Sequence, residues 1–181
     1  GAFLLAPIHR SNIDTPLAAY VSSRRLRFMG KDSIWKFAPI GWVLSALGAF
    51  PVTRGSADRE ALKRCIAVLE AGEPLVLFPE GTRQSGPIVQ PLFDGAAYVA
   101  VKAGVPIIPV GIGGSERVMP KGSKMIYPRK CVLVVGEPII AAMDETGRVP
   151  RSAVKDVTSR LYEDLQRLFD EAQRLAGTPN D

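Results

Sequence analysis

PLVLFPEGTR, residues 74–83, is an apolar run that ends in a polar turn containing a glycine. A short continuous apolar run predicts a strand buried on both faces of a sheet. Three further runs share this character: FLLAPI at 3–8, PIIPVGI at 106–112 and CVLVVG at 131–136. The four runs together predict a sheet buried in the middle of the domain.

Amphipathic segments alternate with these runs and predict helices at 16–22, with Thr15 as the cap, at 57–70 and at 95–102. A last helix follows Ser152. Its expected buried stripe recurs every three or four residues and comprises Val154, Val157, Leu161, Leu165, Leu168, Ala172 and Leu175. Alternating strands and helices without a linker or repeat predict one α/β domain.

Composition narrows the classes of partner. The 181 residues carry a net charge of +5, which favours an anionic partner such as a phosphorylated metabolite, a bilayer surface or a nucleic acid. Cys65 and Cys131 lie in apolar runs, so we expect buried reduced thiols, and with a single histidine they make no Cys-rich zinc site. Reduced thiols suit a cytoplasmic setting. No apolar run is long enough to span a bilayer.

Residues 33–48, SIWKFAPIGWVLSALG, contain Trp35, Phe37 and Trp42 but only Lys36 among basic residues. Tryptophan favours the membrane interface, so the segment fits a peripheral membrane contact. A core helix kinked at Pro39 fits equally well. Both interpretations stay open at this point.

The only histidine, His9, follows the first apolar run, and Asp14 comes five residues later. The exit of a strand is where α/β sheets bind ligands. A turn between the two residues lets the carboxylate hold one imidazole nitrogen while the other accepts a proton from a substrate near neutral pH. The alternative is a helix whose N-terminus Asp14 stabilises, with His9 merely packed.

The turn at 80–83 offers a different chemistry. Gly81 allows a close backbone approach and an N–H donor, Thr82 adds a hydroxyl, and Arg83 supplies a planar fork for phosphate or carboxylate. Glu80 can hold the turn by accepting hydrogen bonds. The alternative is an exposed turn with a weak surface ion pair.

Two more cations, Lys31 and Arg54, follow short apolar stretches. If those stretches are neighbouring strands, their ends place both cations with Arg83 near His9, in a pocket suited to acyl or phosphoryl transfer. The chain lacks a G-x-S-x-G elbow and a phosphate-binding P-loop. A covalent route through Ser11 is disfavoured because no strained nucleophile turn surrounds it.

The combination resembles the glycerolipid acyltransferase family of the lysophosphatidate acyltransferase type. Four blocks match in order: H-x-x-x-x-D from His9 to Asp14, GAFPVTR at 48–54, FPEGTR at 78–83 and VPIIPV at 105–110. The resemblance implies a mixed, mostly parallel sheet flanked by helices. The expected single acyltransferase domain covers 1–181, without the N-terminal membrane-associated segment common in the family.

The resemblance also implies the site. His9 would deprotonate the acceptor hydroxyl with Asp14 as its partner, while Arg54 and Arg83, with Lys31, hold the acceptor phosphate. Glu80 would position the loop or the glycerol part, and the Gly81 N–H would stabilise the oxyanion. We expect no metal or other cofactor, with acyl-CoA or an acyl carrier protein as the thioester donor.

The expected acceptor is lysophosphatidate or a related glycerol phosphate, at the cytoplasmic face of a membrane with an anionic surface. Ile8 stands where many members have Asn, and HRS at 9–11 is also similar to enzymes that acylate glycerol 3-phosphate. Glycerol 3-phosphate or another lysolipid therefore stays an alternative acceptor. A non-catalytic anionic-lipid-binding module is the alternative function. A nucleic-acid partner is not expected, because no aromatic platform is interleaved with the basic residues.

Overall fold

The computed structural model describes residues 1–31, 35–46, 48–52, 59–120, 122–123, 125–140 and 147–180. Its strands are β1 (Leu4–Pro7), β2 (Arg27–Lys31), β3 (Ala49–Val52), β4 (Leu75–Val76), β5 (Ile107–Gly113) and β6 (Val132–Val135). Its helices are α1 (Asp14–Ala19), α2 (Ala38–Ala46), α3 (Arg59–Glu70), α4 (Gly95–Ala103), α5 (Ser115–Val118) and α6 (Arg151–Ala176).

The described strands form one sheet in the order β3-β2-β4-β1-β5-β6. All neighbours pair in parallel except β5 and β6, which are antiparallel. The expected α/β fold with a mostly parallel mixed sheet and flanking helices is confirmed. Because β1 lies between β4 and β5, the loops that follow β1 and β4 meet at the carboxyl edge of the sheet, where ligands bind in such folds.

Helix α6 lies directly on β5, and two glycines permit the approach. A Cβ atom at Gly111 would lie 2.2 Å from the Leu168 carbonyl oxygen, and one at Gly113 would lie 2.2 Å from the backbone of Ala172. The buried face of α6 follows the predicted stripe with two differences. Leu175 is exposed, and Phe169, which the stripe does not include, is buried.

The first helix begins at Asp14, so Thr15 is not its cap, and the expected start at residue 16 is corrected. Helix α2 begins at Ala38, which places Pro39 in the first turn, where proline does not kink a helix. The core interpretation of this segment is wrong for Phe37 and Trp42, which are 61% and 74% exposed.

Trp35 behaves differently from Trp42. Its indole Nε1 donates a 2.9 Å hydrogen bond to Ser45 Oγ, and its ring lies where side chains at Gly30 and Gly41 would otherwise stand. One tryptophan of the segment therefore packs against the protein, while the other projects into solvent.

Candidate active site

The loop that follows β1 brings the predicted base and its carboxylate together. His9 Nδ1 lies 3.2 Å from Asp14 Oδ2, and Asp14 is fully buried while the His9 side chain keeps 14% exposure. The imidazole stacks on Phe78, with ring centroids 4.0 Å apart. His9 is thus held on one face and one edge, and its Nε2 has no hydrogen-bond partner among the described residues.

The Asp14 carboxylate is held by the backbone of the same loop. Its Oδ2 accepts the N–H of Arg10 at 2.6 Å and the N–H of Ser11 at 2.5 Å, besides facing the imidazole. Its Oδ1 is buried and has no partner within the described part of the chain. The carboxylate therefore organises the loop rather than capping α1, and its charge remains available to a protonated imidazole.

Glu80, expected as a substrate-binding residue, is instead buried in a bonded cluster. Both of its oxygens lie 2.9 Å from Arg10 Nη1. The backbone N–H of His9 donates to Oε2 at 3.1 Å, and that of Gln90 donates to Oε1 at 3.0 Å. This geometry favours the interpretation in which Glu80 holds the turn, because its oxygens face the protein.

Arg10 is the residue that sequence reasoning missed. Its side chain is 1% exposed, its Nη2 donates to the Ile88 carbonyl at 3.2 Å, and its guanidinium lies 4.9 Å from the Phe169 ring centroid. It thus ties the β1 loop, the β4 turn and α6 to one another. The available signal was an arginine next to His9 at the end of a buried strand, where a buried cation requires a carboxylate partner.

The N–H groups of the turn after β4 are already used. Gly81 N–H donates to the Phe78 carbonyl at 3.0 Å, and Thr82 N–H donates to the Glu80 carbonyl at 2.8 Å. The expectation that the Gly81 N–H stabilises an oxyanion is therefore corrected. Gly81 has φ +70°, and a Cβ there would lie 2.8 Å from the Phe93 ring. The glycine thus serves the shape of the turn and the placement of Phe93 over it.

Arg83 is the one of the three predicted cations whose side chain the structure describes. It is half-buried, and no described residue forms a hydrogen bond or ion pair with its guanidinium. The next residue, Gln84, donates its N–H to the His9 carbonyl at 2.8 Å, so the β4 turn runs beside the His9 loop. Thr82 is exposed, and its Oγ1 accepts a 3.0 Å hydrogen bond from Gln84 Nε2.

The structure describes less of the other two predicted cations, Lys31 and Arg54. Lys31 is the last residue of β2, the neighbour of β4 in the sheet, so its backbone lies in the strand beside the turn. Arg54 lies outside the described residues, and so does the side chain of Lys31. Their expected contacts with a phosphate stay predictions.

Ser11 and Cys131 lie close to His9 and Asp14 without forming a nucleophile site. Ser11 is buried, and its Oγ donates to the Met119 carbonyl at 2.7 Å. Burial, and then the charge of Asp14, raise the pKa of the half-buried Cys131 thiol. The expectation of two buried thiols is correct only for Cys65, whose burial raises its pKa to about 12. Within the described residues, no group of three or more His, Cys, Asp and Glu side chains could hold a metal.

Known proteins with similar sequences are acyltransferases. A protein-family profile described as Acyltransferase matches residues 1–113. The chain is 30% identical over 174 residues to the 1-acyl-sn-glycerol-3-phosphate acyltransferase of Bacillus subtilis, covering 96% of this chain and 84% of that protein. It is 34% identical over 111 residues, or 60% of its length, to a chloroplastic enzyme of the same name from Brassica napus. The chain spans only 32% of that plant protein.

One solved structure extends the similarity. The crystal structure of the 1-acyl-sn-glycerophosphate acyltransferase PlsC from Thermotoga maritima matches with a TM-score of 0.76 at 27% sequence identity. The match covers 94% of this chain and 66% of that one. The fold described above is therefore shared over nearly the whole chain.

Proposed function

Because the chain belongs to the acyltransferase family, we propose that it transfers a fatty acyl group from a thioester to the free hydroxyl of 1-acylglycerol 3-phosphate, forming phosphatidate. The observation that carries the proposal is the contact of His9 with buried Asp14, at 3.2 Å, beside a turn whose Arg83 has no partner among the described residues. The names of the similar proteins support lysophosphatidate as the acceptor.

In the proposed reaction, His9 Nε2 accepts the proton of the acceptor hydroxyl as its oxygen attacks the thioester carbonyl. A C–O bond forms and the C–S bond breaks, and the imidazolium returns its proton to the leaving thiolate. The products are the ester and a free thiol, so the step requires no oxidant, reductant or acyl-enzyme. A thioester is already activated, and we propose no cofactor beyond the donor itself.

Asp14 supports this proton transfer in two ways. It holds His9 Nδ1 as the protonated nitrogen, which leaves Nε2 as the acceptor. Its buried negative charge then stabilises the imidazolium that forms. Because two backbone N–H groups also hold Oδ2, the carboxylate keeps its position when the ring becomes charged.

The acceptor phosphate is proposed to bind Arg83, whose planar fork matches phosphate oxygens. Lys31 and Arg54 are proposed to contribute further positive charge, and Thr82 a hydroxyl. This assignment is supported by the absence of a protein partner for Arg83 among the described residues, whereas Arg10 is neutralised inside the fold.

The proposed setting is the cytoplasmic face of an anionic membrane, where a soluble acyl-CoA or acyl carrier protein meets a lipid acceptor. The net charge of +5 and the exposed Phe37 and Trp42 support a peripheral contact. Among the described residues, no helix has both the length and the hydropathy that a membrane span requires.

The decisive experiment measures thiol release from acyl-CoA with lysophosphatidate as acceptor, with mass spectrometry of the lipid product. We expect His9→Ala to lose several hundredfold in kcat, the usual contribution of a general base. Asn12→Ala is the matched control, since Asn12 is an exposed residue of the same loop.

Near wild-type turnover in His9→Ala would overturn the assignment of the base. Turnover with glycerol 3-phosphate or lyso-ornithine lipid, but not with lysophosphatidate, would show that the proposed acceptor is wrong. Lyso-ornithine lipid is included because a relative from Pseudomonas aeruginosa, 30% identical over 105 residues, is named as a lyso-ornithine lipid O-acyltransferase. Vesicle binding without any thiol release from acyl-CoA or acyl carrier protein would instead identify a lipid-binding module.

A further inference from the structure

The α5–β6 connection, defined here as residues 117–130 and therefore including the end of α5, exposes three consecutive apolar side chains. Met125, Ile126 and Tyr127 are 64%, 66% and 42% exposed. Soluble proteins scatter exposed apolar residues singly, and adjacent ones indicate an interaction surface. The Tyr127 N–H donates to the Val118 carbonyl at 2.8 Å, so the backbone that carries them is tied to α5.

The same connection is strongly basic. Its sequence, RVMPKGSKMIYPRK, contains five cations and no acidic residue. Arg117, Arg129 and Lys130 are exposed in the structure, and Lys121 and Lys124 add charge by sequence. Each lysine or arginine at an anionic membrane surface strengthens binding roughly fivefold at physiological ionic strength. The cations stand on both sides of the apolar triplet in the sequence.

Both ends of the connection lie near the loop that carries His9. Near its start, the Met119 carbonyl accepts the 2.7 Å hydrogen bond of Ser11, two residues after His9. At its end, the Lys130 backbone lies just beyond β5, the strand beside β1, because a Cβ at Gly114 would stand 2.3 Å from the Lys130 carbonyl oxygen. A surface bound by this connection would therefore lie next to the loop that holds the base.

We propose that the α5–β6 connection is the docking surface through which the protein binds an anionic phospholipid bilayer. Met125 and Ile126 enter the acyl boundary, Tyr127 lies at the headgroup level, and the flanking cations contact lipid phosphates. The choice of a bilayer as occupant rests on the proposed function, because a lysolipid acceptor resides in a membrane. Docking here brings the loop that carries His9 to the surface that contains the proposed acceptor.

The test is co-sedimentation of the full chain with phosphatidylcholine vesicles, with and without phosphatidylglycerol. We expect binding to the anionic vesicles only. Ile126→Ser and the double variant Arg129→Glu/Lys130→Glu should each bind them at least tenfold more weakly. Matched controls are Val135→Ser, an apolar residue of β6 that is half exposed, and Arg151→Glu/Arg160→Glu on the exposed face of α6. Circular dichroism checks that every variant is folded.

Vesicle binding is measured without turnover, so it separates this proposal from the proposed function. A chain that binds no anionic vesicles overturns the proposal, as do connection variants that bind as well as the controls. Loss of binding in Trp42→Ser with unchanged binding in the connection variants would assign docking to α2 instead. If the connection variants weaken binding only to an acidic acyl carrier protein, the surface is a donor site and the bilayer assignment is wrong.

Discussion

The turn after β4 contains two charged residues whose surroundings differ: one is buried and paired, and the other is not paired by any described residue. Glu80 is 2% exposed and accepts hydrogen bonds from Arg10, His9 and Gln90. Arg83, three residues later, has no hydrogen-bond or ion-pair partner in the described chain. The charge of Glu80, which the fold neutralises, helps to set the position of His9, whereas the charge of Arg83 is available to a ligand. A short motif thus combines a structural half, which contains Glu80, with a half whose Arg83 is proposed to bind the substrate and which is called the binding half below.

The structural half acts through the backbone of His9. Glu80 binds the N–H of His9 and the side chain of Arg10, while Gln84 N–H binds the His9 carbonyl. The residue is therefore held from both of its peptide groups as well as through its ring. Preorganisation of this kind keeps a reacting group within the narrow range of positions that catalysis needs.

Of the substitutions considered, the removal of Glu80 is expected to lower the free energy of unfolding the most. Glu80→Ala leaves the Arg10 guanidinium buried without its carboxylate, and breaking a buried pair costs about 3–5 kcal/mol. Urea denaturation measures the loss of unfolding free energy. Glu73→Ala is the matched control, because Glu73 pairs with Arg27 at the exposed surface and should change stability far less.

The double variant Glu80→Ala/Arg10→Met tests the cause. If an unpaired charge is responsible, replacing the cation with an apolar side chain should recover much of the lost stability. Equal destabilisation in the single and double variants would show that lost packing, not charge, dominates.

Removing Arg83 probes the binding half. Because no described residue bonds to it, Arg83→Ala should leave the unfolding midpoint unchanged while raising the KM for lysophosphatidate roughly 10- to 100-fold, the worth of charged hydrogen bonds to phosphate. Arg83→Lys keeps the positive charge but loses the planar guanidinium, so its KM for lysophosphatidate should lie between those of the wild type and Arg83→Ala. A rise of equal size in the KM for acyl-CoA would contradict a role at the acceptor phosphate.

Gly81 lies between the two halves, and its replacement by alanine has two expected effects on stability: backbone strain and a steric contact with Phe93. Gly81→Ala places an alanine at φ +70°, which should lower the unfolding free energy by about 1 kcal/mol. The new Cβ also meets the Phe93 ring at 2.8 Å. Gly86→Ala is the matched control, with φ +88° and open space around its Cβ.

If both variants lose the same stability in urea, backbone strain is the whole effect and the exposed Phe93 ring simply moves aside. A larger loss in Gly81→Ala that Phe93→Ala relieves would show that the ring is held over the turn. No loss in either variant would contradict the strain argument.

The sequence predicts the apolar half of this arrangement better than the charged half. The buried runs are predicted because continuous apolar stretches fit only a covered sheet. The contact of His9 with Asp14 is predictable because the two residues are only five positions apart in the sequence. The pairing of Arg10 with Glu80 joins residues 70 positions apart, and depends on β4 lying next to β1, which no local pattern specifies.

The same limit explains the roles that sequence analysis assigned incorrectly. Gly81 offers an N–H in any turn, but only the folded turn shows that the Phe78 carbonyl accepts it. Leu175 continues the apolar period of α6, yet it is exposed, while Ala176 beside it lies 3.2 Å from where a Cβ at Gly114 would stand. Spacing predicts which face a residue occupies, whereas its partners follow from the tertiary structure.

The smallest expected effect on stability comes from the ion pair of Arg27 with Glu73, which is more exposed to solvent than the pair of Arg10 with Glu80. The Arg27 guanidinium lowers the pKa of the Glu73 carboxyl, so this pair contributes stability above the ordinary carboxyl range and loses it as pH falls through the lowered folded-state pKa. Glu73→Gln should therefore flatten the acid side of the stability curve slightly in urea titrations between pH 5 and 3, values that bracket the range in which glutamate side chains titrate, about pH 4. High salt should remove the difference, because the pair is exposed to solvent. A large, salt-independent difference would mean that this pair behaves like Arg10 and Glu80, and that burial is not what distinguishes the two.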